Sequence, residues 1–357
     1  MPKLEVSLVN QVLYEFPAYA REIIESLIET DWLIHSFQLD DKKDIYNPAG
    51  YLYNAEFNGV EYTIHLDLNV YQYILSAYKK KKKKKIHRDA IALMVFGKFT
   101  NSIFDPTIAI YEKLNYLEQC PDEILDDLFL FKEIDNAEMD ELAKFALGHT
   151  DDIKLPEVSS IERDTLKLEL TKYRRLKKWD NFYLFVLKTT ELYYFDDSPI
   201  EDKISKFLSW CFSDFLYSLV AISFVIKLMG KESSPKLMKY KASQNIEQKK
   251  SSLINMTWDL FLLDKYFENW IKKEENKEFV YASNDKPLKE VLEIAISIQI
   301  EGNTNHLHSF ISPSLIDRIN KIEGTINNRN DRKISNVSDF KNFRDELIKG
   351  IELSIVE

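Results

Sequence analysis

Glycine and proline are scarce in this chain, at 8 and 10 of 357 residues. So few turn formers argue against a protein of many short strands, and the plentiful Leu, Lys and Glu favour long helices. Cysteine is scarcer still, with two residues. Cys120 and Cys211 lie in unrelated segments without metal-type spacing, so they read as reduced thiols of a cytoplasmic protein. The N-terminus lacks the basic, apolar and cleavage-site succession of a signal peptide. The one stretch that invites a membrane reading, FLYSLVAISFVI (215–226), has twelve uncharged residues between Asp214 and Lys227. A spanning helix needs about 20, so it reads as a buried core helix closed by Gly230, and no membrane partner is expected. There is no zinc signature, glycine-rich phosphate loop or GxSxG nucleophile turn.

What is present is ordinary for a globular protein: 45% hydrophobic and 30% charged residues, with a net charge of −10. That charge neither marks nor excludes a nucleic-acid binder, because the local field governs binding more than the total. Apolar positions from 8 to 34 predict one or two amphipathic helices interrupted near Pro17. After a polar connector (40–50), YLYNAEF and VEYTIHLDLNV flank Asn58-Gly59, which predicts a hairpin whose second arm delivers Asp67 at its C-terminal end. Two helices follow over 70–104, separated by the lysines. Asp105-Pro106 opens another helix, and 122–148 gives one or two more. Residues 160–250 read as helical without strands. Residues 251–272 are again helical, EFVYAS (278–283) is a short buried strand, and Lys286 resumes a helix. A last amphipathic helix starts near Ser338.

Four acids stand out within this pattern. Asp67 ends a strand in IHLDLNV. Glu112 sits among apolar residues in FDPTIAIYEKLN, and Asp259 does so in NMTWDLFLLDKYF. Asp285 follows the buried strand in EFVYASNDKPLKEVL. Acids on apolar faces or at strand ends are aimed at something or capping a turn. Gathered together, an oxygen-only ligand set selects a hard cation, Mg²⁺ or Mn²⁺, suited to phosphodiester hydrolysis.

The order of strand-plus-DxN, helical Glu, helical Asp and strand-plus-(S/T)xD resembles the PIN-like domain nucleases over roughly residues 50 to 300. Two features depart from that family. Leu68 stands where it often carries a small hydroxyl residue, and the gap from Glu112 to Asp259 exceeds what a minimal PIN domain needs. The resemblance implies an α/β fold, helix-dominated, with a small mostly parallel sheet flanked by helices. It implies one PIN-like domain: N-terminal helices over 1–50, the core over 51–159 and 251–300, a helical insertion over 160–250 and a C-terminal helical extension over 301–357. It also implies that Asp67, Glu112, Asp259 and Asp285 bind Mg²⁺ or Mn²⁺, with Asn69, Ser283 and Asn284 supporting them. The implied activity is endonucleolytic cleavage of nucleic acid, single-stranded RNA before DNA, as in toxins or phage-defence effectors. A homo-oligomer or a regulatory protein partner is compatible with that role. The alternative is a non-catalytic scaffold that binds partners.

Lys79, Lys80, Lys81, Lys82, Lys83, Lys84 and Lys85, continued by Arg88, form the concentrated basic tract. It reads either as a phosphate grip or as a solvated loop. A second basic group, KYRRLKKW (172–179), offers Tyr173 and Trp179 for base stacking or forms an exposed helix face.

Overall fold

The computed structural model describes residues 5–9, 12–35, 44–115, 121–156, 160–170, 176, 178–272, 274–302, 305–325 and 339–356. Two compact units divide the chain: Met1–Arg175 with Asn269–Asn284, and Leu176–Glu268 with Asp285–Glu357.

The first unit opens with an antiparallel pair, β1 (Glu5–Val9) and β2 (Val12–Phe16), before helix α1 (Ala20–Thr30). The expected helix therefore begins only after Pro17. Burial in β2 alternates, with Leu13 and Glu15 exposed and Phe16 buried, which is the period of a strand. The main sheet runs in the order β3 (Leu33–Ile34), β6 (Lys277–Ala282), β4 (Glu61–Leu66), β5 (Ile103–Asp105). β4 is parallel to both β6 and β5, and β3 is antiparallel to β6 at the edge. The class is mixed α/β and helix-dominated.

The hairpin expected around Asn58-Gly59 is a helix followed by a strand. Helix α2 (Pro48–Asn58) starts where the Asn47 side chain accepts from the Ala49 amide, with Pro48 in its first turn. It ends at Gly59, whose φ of 64° is the left-handed conformation that closes helices. The aromatics that suggested a strand sit at helical spacing: Tyr53 and Phe57 stack with centroids 4.7 Å apart.

From β4 the chain enters α3 (Leu68–Lys79) and, past the lysines, α4 (Lys85–Phe99). These are the two helices expected over 70–104. From Ala90 to Gly97 every residue of α4 is buried, so α4 is the central helix of this unit's core. Helices α5 (Thr107–Asn115), α6 (Pro121–Asp135), α7 (Met139–Ala146) and α8 (Ser160–Leu170) complete it.

The second unit holds α9 (Trp179–Tyr194), α10 (Ile200–Ser213), α11 (Leu219–Met229), most of α12 (Ile246–Ile271), α13 (Lys286–Glu301), α14 (Pro313–Thr325) and α15 (Phe340–Val356). Every residue of α11 is buried, as expected of a core helix. It packs on α13, while α15 packs on α9 and α14 on α10. Among the described residues no helix is long and apolar enough to cross a membrane.

Candidate functional site

The parallel register of β4, β5 and β6 brings three chain exits to one end of the sheet. Leu66 pairs with Ala282 and His65 with Asp105, so Asp67, Ser283 and Asp105 stand at that end. The Asp67 amide donates to the Ala282 carbonyl at 3.1 Å, and the Ser283 amide donates to the Trp32 carbonyl at 3.0 Å. C-terminal strand ends are where open α/β sheets place ligands.

The Asp67 side chain is buried, at 6% exposure. Its Oδ1 accepts from the Val70 amide at 2.7 Å and so caps α3. Asn69 is exposed in the first turn of α3, Ser283 is fully buried, and Asn284 Nδ2 donates to the Tyr73 hydroxyl at 3.3 Å.

Glu112 lies on α5, which packs against both β4 and α3, and it is 7% exposed. Two features fix that helix. Asp105 accepts from the Thr107 amide at 2.8 Å, as the expected opening acid should. At the other end Lys113 pairs with Asp127 of α6, and the same carboxylate pairs with Lys79 of α3. One buried acid thus ties α6 to both helices carrying the candidate residues. Lys113 also lies 5.1 Å from the Tyr71 ring centroid.

Asp105 opens α5, as its sequence context predicts, and it also shares the sheet end with Asp67. Its Oδ2 is 3.0 Å from His65 Nδ1. Burial raises the Asp105 pKa, but the His65 ring and Thr107 outweigh it and hold the carboxyl below its usual range. His65 in turn stacks on Phe279 at 5.3 Å.

The other two candidate acids belong to the second unit. Asp259 on α12 pairs with Lys239, whose ammonium also donates to Asn255 Oδ1 at 2.6 Å. Asp285 caps α13 by accepting from the Leu288 amide at 3.3 Å, with Pro287 in the first turn. Burial raises the Asp259 pKa, Lys239 opposes the rise, and the nearby charge of Asp285 adds to it. Among the described residues, no group of three or more His, Cys, Asp or Glu side chains is close enough together to hold a metal ion.

An acid missed in the sequence also belongs to this unit. Asp264 accepts from the Ser218 hydroxyl at 3.2 Å, and burial followed by repulsion from Glu268 raises its pKa to about 6. Its signal was a charge inside the apolar run LFLLDKYF.

The basic tract resolves into two kinds of lysine. Lys79 pairs with Asp127, and Lys85 lies 3.1 Å from Glu29 and 3.3 Å from Asp89. Lys83 donates to the Ala77 carbonyl at 2.7 Å and lies over the Phe145 ring. Arg88 donates to the Phe145 carbonyl at 2.6 Å and to Asp151 at 2.7 Å. Lys80, Lys81, Lys82 and Lys84 are exposed. Of KYRRLKKW, Tyr173 and its neighbours through Arg175 lie outside the described residues, as does Cys120. Trp179, half-buried, stacks on Tyr183 at 5.4 Å and packs on Trp258.

No family model, curated protein or solved structure compared with this chain matches it.

Proposed function

We propose that this chain is a metal-dependent nuclease of the PIN-like kind. Asp67, Glu112, Asp259 and Asp285 are its metal-binding acids, and single-stranded RNA is its preferred substrate. The observation that carries the reading is Asp67. It is a buried carboxylate at the C-terminal end of a strand with parallel neighbours on both sides, beside Ser283 and next to the helix bearing buried Glu112. An all-oxygen donor set of this kind fits Mg²⁺ or Mn²⁺. Bound there, such an ion supplies Lewis acidity and an activated water for phosphodiester hydrolysis.

The chain's own groups have separable tasks in this reading. Asp67 is held in one rotamer by the Val70 amide, and Glu112 is held by the Asp105 and Asp127 anchors of its helix. Asn69 and Asn284 offer amide groups for orienting water or substrate. In the second unit, Lys239 pairs with Asp259. An endonuclease assay on unstructured RNA, with Mg²⁺ or Mn²⁺ and with chelator, tests the proposal. Cleavage should need the ion and be lost in Glu112→Gln. Ion-independent cleavage, or none under any condition, overturns it.

One observation favours a second reading. Asp67 and Asp285 both cap helices, and Asp259 is paired with a lysine, which are roles that a non-catalytic scaffold also needs.

A further inference from the structure

The lysines between α3 and α4 concentrate positive charge at the start of a helix. Helix N-termini carry a partial positive charge and favour acids in the first turn. Helix α4 instead begins Lys85-Ile86-His87 after Lys84, with no acid in its first turn. The Lys84 carbonyl accepts from the His87 and Arg88 amides, and the Lys84 amide donates to His87 Nδ1 at 3.3 Å. His87 is buried at 6% exposure. Burial and the charges of Lys84, Lys83 and Lys80 hold its pKa below the usual histidine value, so these cations converge on one place.

The connection is also held in shape from within. Lys80 donates its amide to the Ser76 carbonyl at 3.0 Å, and the Lys83 ammonium caps the α3 C-terminus through the Ala77 and Tyr78 carbonyls. Lys79, Lys83, Lys85 and Arg88 are thus anchors. Lys80, Lys81, Lys82 and Lys84 project from the anchored turn beside a positive helix end. Next to them, in the last turn of α3, stands Tyr78 with 48% of its surface exposed.

We propose that this turn is a binding site for single-stranded nucleic acid, in which Lys80, Lys81, Lys82, Lys84 and the α4 N-terminus take successive phosphates and Tyr78 stacks one base. The inference rests on the nucleic-acid reading above for the identity of the polyanion, and it narrows that reading to four of the seven lysines. A ring that accepts any base selects for unpaired strands without selecting sequence. Phosphate contacts alone would not distinguish a single strand from a duplex.

The test is fluorescence anisotropy in EDTA with the full-length protein. The probes are a short labelled RNA strand, its duplex and inorganic polyphosphate. Working in EDTA separates binding from cleavage, so failure of the metal site leaves this result intact and the reverse also holds. Replacing Lys80, Lys81, Lys82 and Lys84 together by Gln should weaken single-strand binding at least about tenfold. It should also flatten the slope of log K against log salt by about three, the release expected from four phosphates on a single strand. Tyr78→Ala should weaken single-strand binding at least about fivefold, the lower end of base stacking, and leave polyphosphate and duplex binding unchanged. Neutralising exposed Lys231, Lys236, Lys241 and Lys250 instead should change little, which separates a site from net charge. Unchanged affinity and slope in the first variant, or equal loss in the Lys231 set, overturns the site. Equal affinity for strand and duplex with no effect of Tyr78→Ala overturns its single-strand character.

Discussion

Replacing Asp264 by Asn should stabilise this protein above neutral pH and do almost nothing in acid. Asp264 lies in the second unit between Ser218, which donates to it, and Glu268, which repels it. Its pKa stands at about 6 against an ordinary 3.8. Each tenfold change in proton affinity is worth about 1.36 kcal/mol, so the ionised form costs the fold up to about 3 kcal/mol. The sign follows from linkage. The folded state holds this proton more tightly than the unfolded chain, so stability falls as pH rises from about 4 to about 6 and the full cost stands above that. Asn keeps the oxygen that accepts from Ser218 and removes the charge. Urea denaturation of both proteins at several pH values should show a gain of about 2 to 3 kcal/mol at pH 8, shrinking towards zero near pH 4. Equal stability at pH 8, or a gain that does not change with pH, refutes the reasoning.

Two further substitutions probe how the first unit holds its acids. Asp127→Ala leaves the buried Lys113 without its carboxylate and should cost about 3 to 5 kcal/mol by urea denaturation; a loss under about 1 kcal/mol would contradict a buried anchor. Gly97→Ala puts a methyl group against the Phe104 ring. It should destabilise by about 1 to 3 kcal/mol, although Ala is the better helix former by about 1 kcal/mol; a stabilised variant, measured by thermal unfolding, would show that the ring moves aside freely.

Much of the helical content was legible because long apolar periodicity leaves few alternatives. The buried helix read at 215–226 is α11, which starts only at Leu219, and the strand read at 278–283 is β6. The Asn-Gly motif at 58–59 misled because the same left-handed glycine that turns a hairpin also closes a helix, here one opened by the Asn47 cap and Pro48. The strand character of Val12–Phe16 was hidden because five alternating residues beside a helix blend into its period. At the candidate site, the strand-end position of Asp67 was readable from IHLDLNV. The pairing of Asp127 with two lysines and of Asp259 with Lys239 was not. Those contacts join segments 14 to 48 residues apart, and local pattern carries no information about them. The lysine run could be read as basic, but its division into anchors and exposed cations depends on carbonyls and acids that only the fold brings near.

The central claim is that the Asp67 carboxylate holds a divalent cation. The most direct test compares the Mn²⁺-dependent stabilisation of wild type with that of Asp67→Asn. Asn caps a helix about as well as Asp, so the variant without metal should be at least as stable as wild type. At a Mn²⁺ concentration about 100 times the dissociation constant, wild type should gain about 2.7 kcal/mol and the variant much less. Equal stabilisation of both proteins, or of neither, would contradict the claim and leave Asp67 as the cap of α3 in a scaffold.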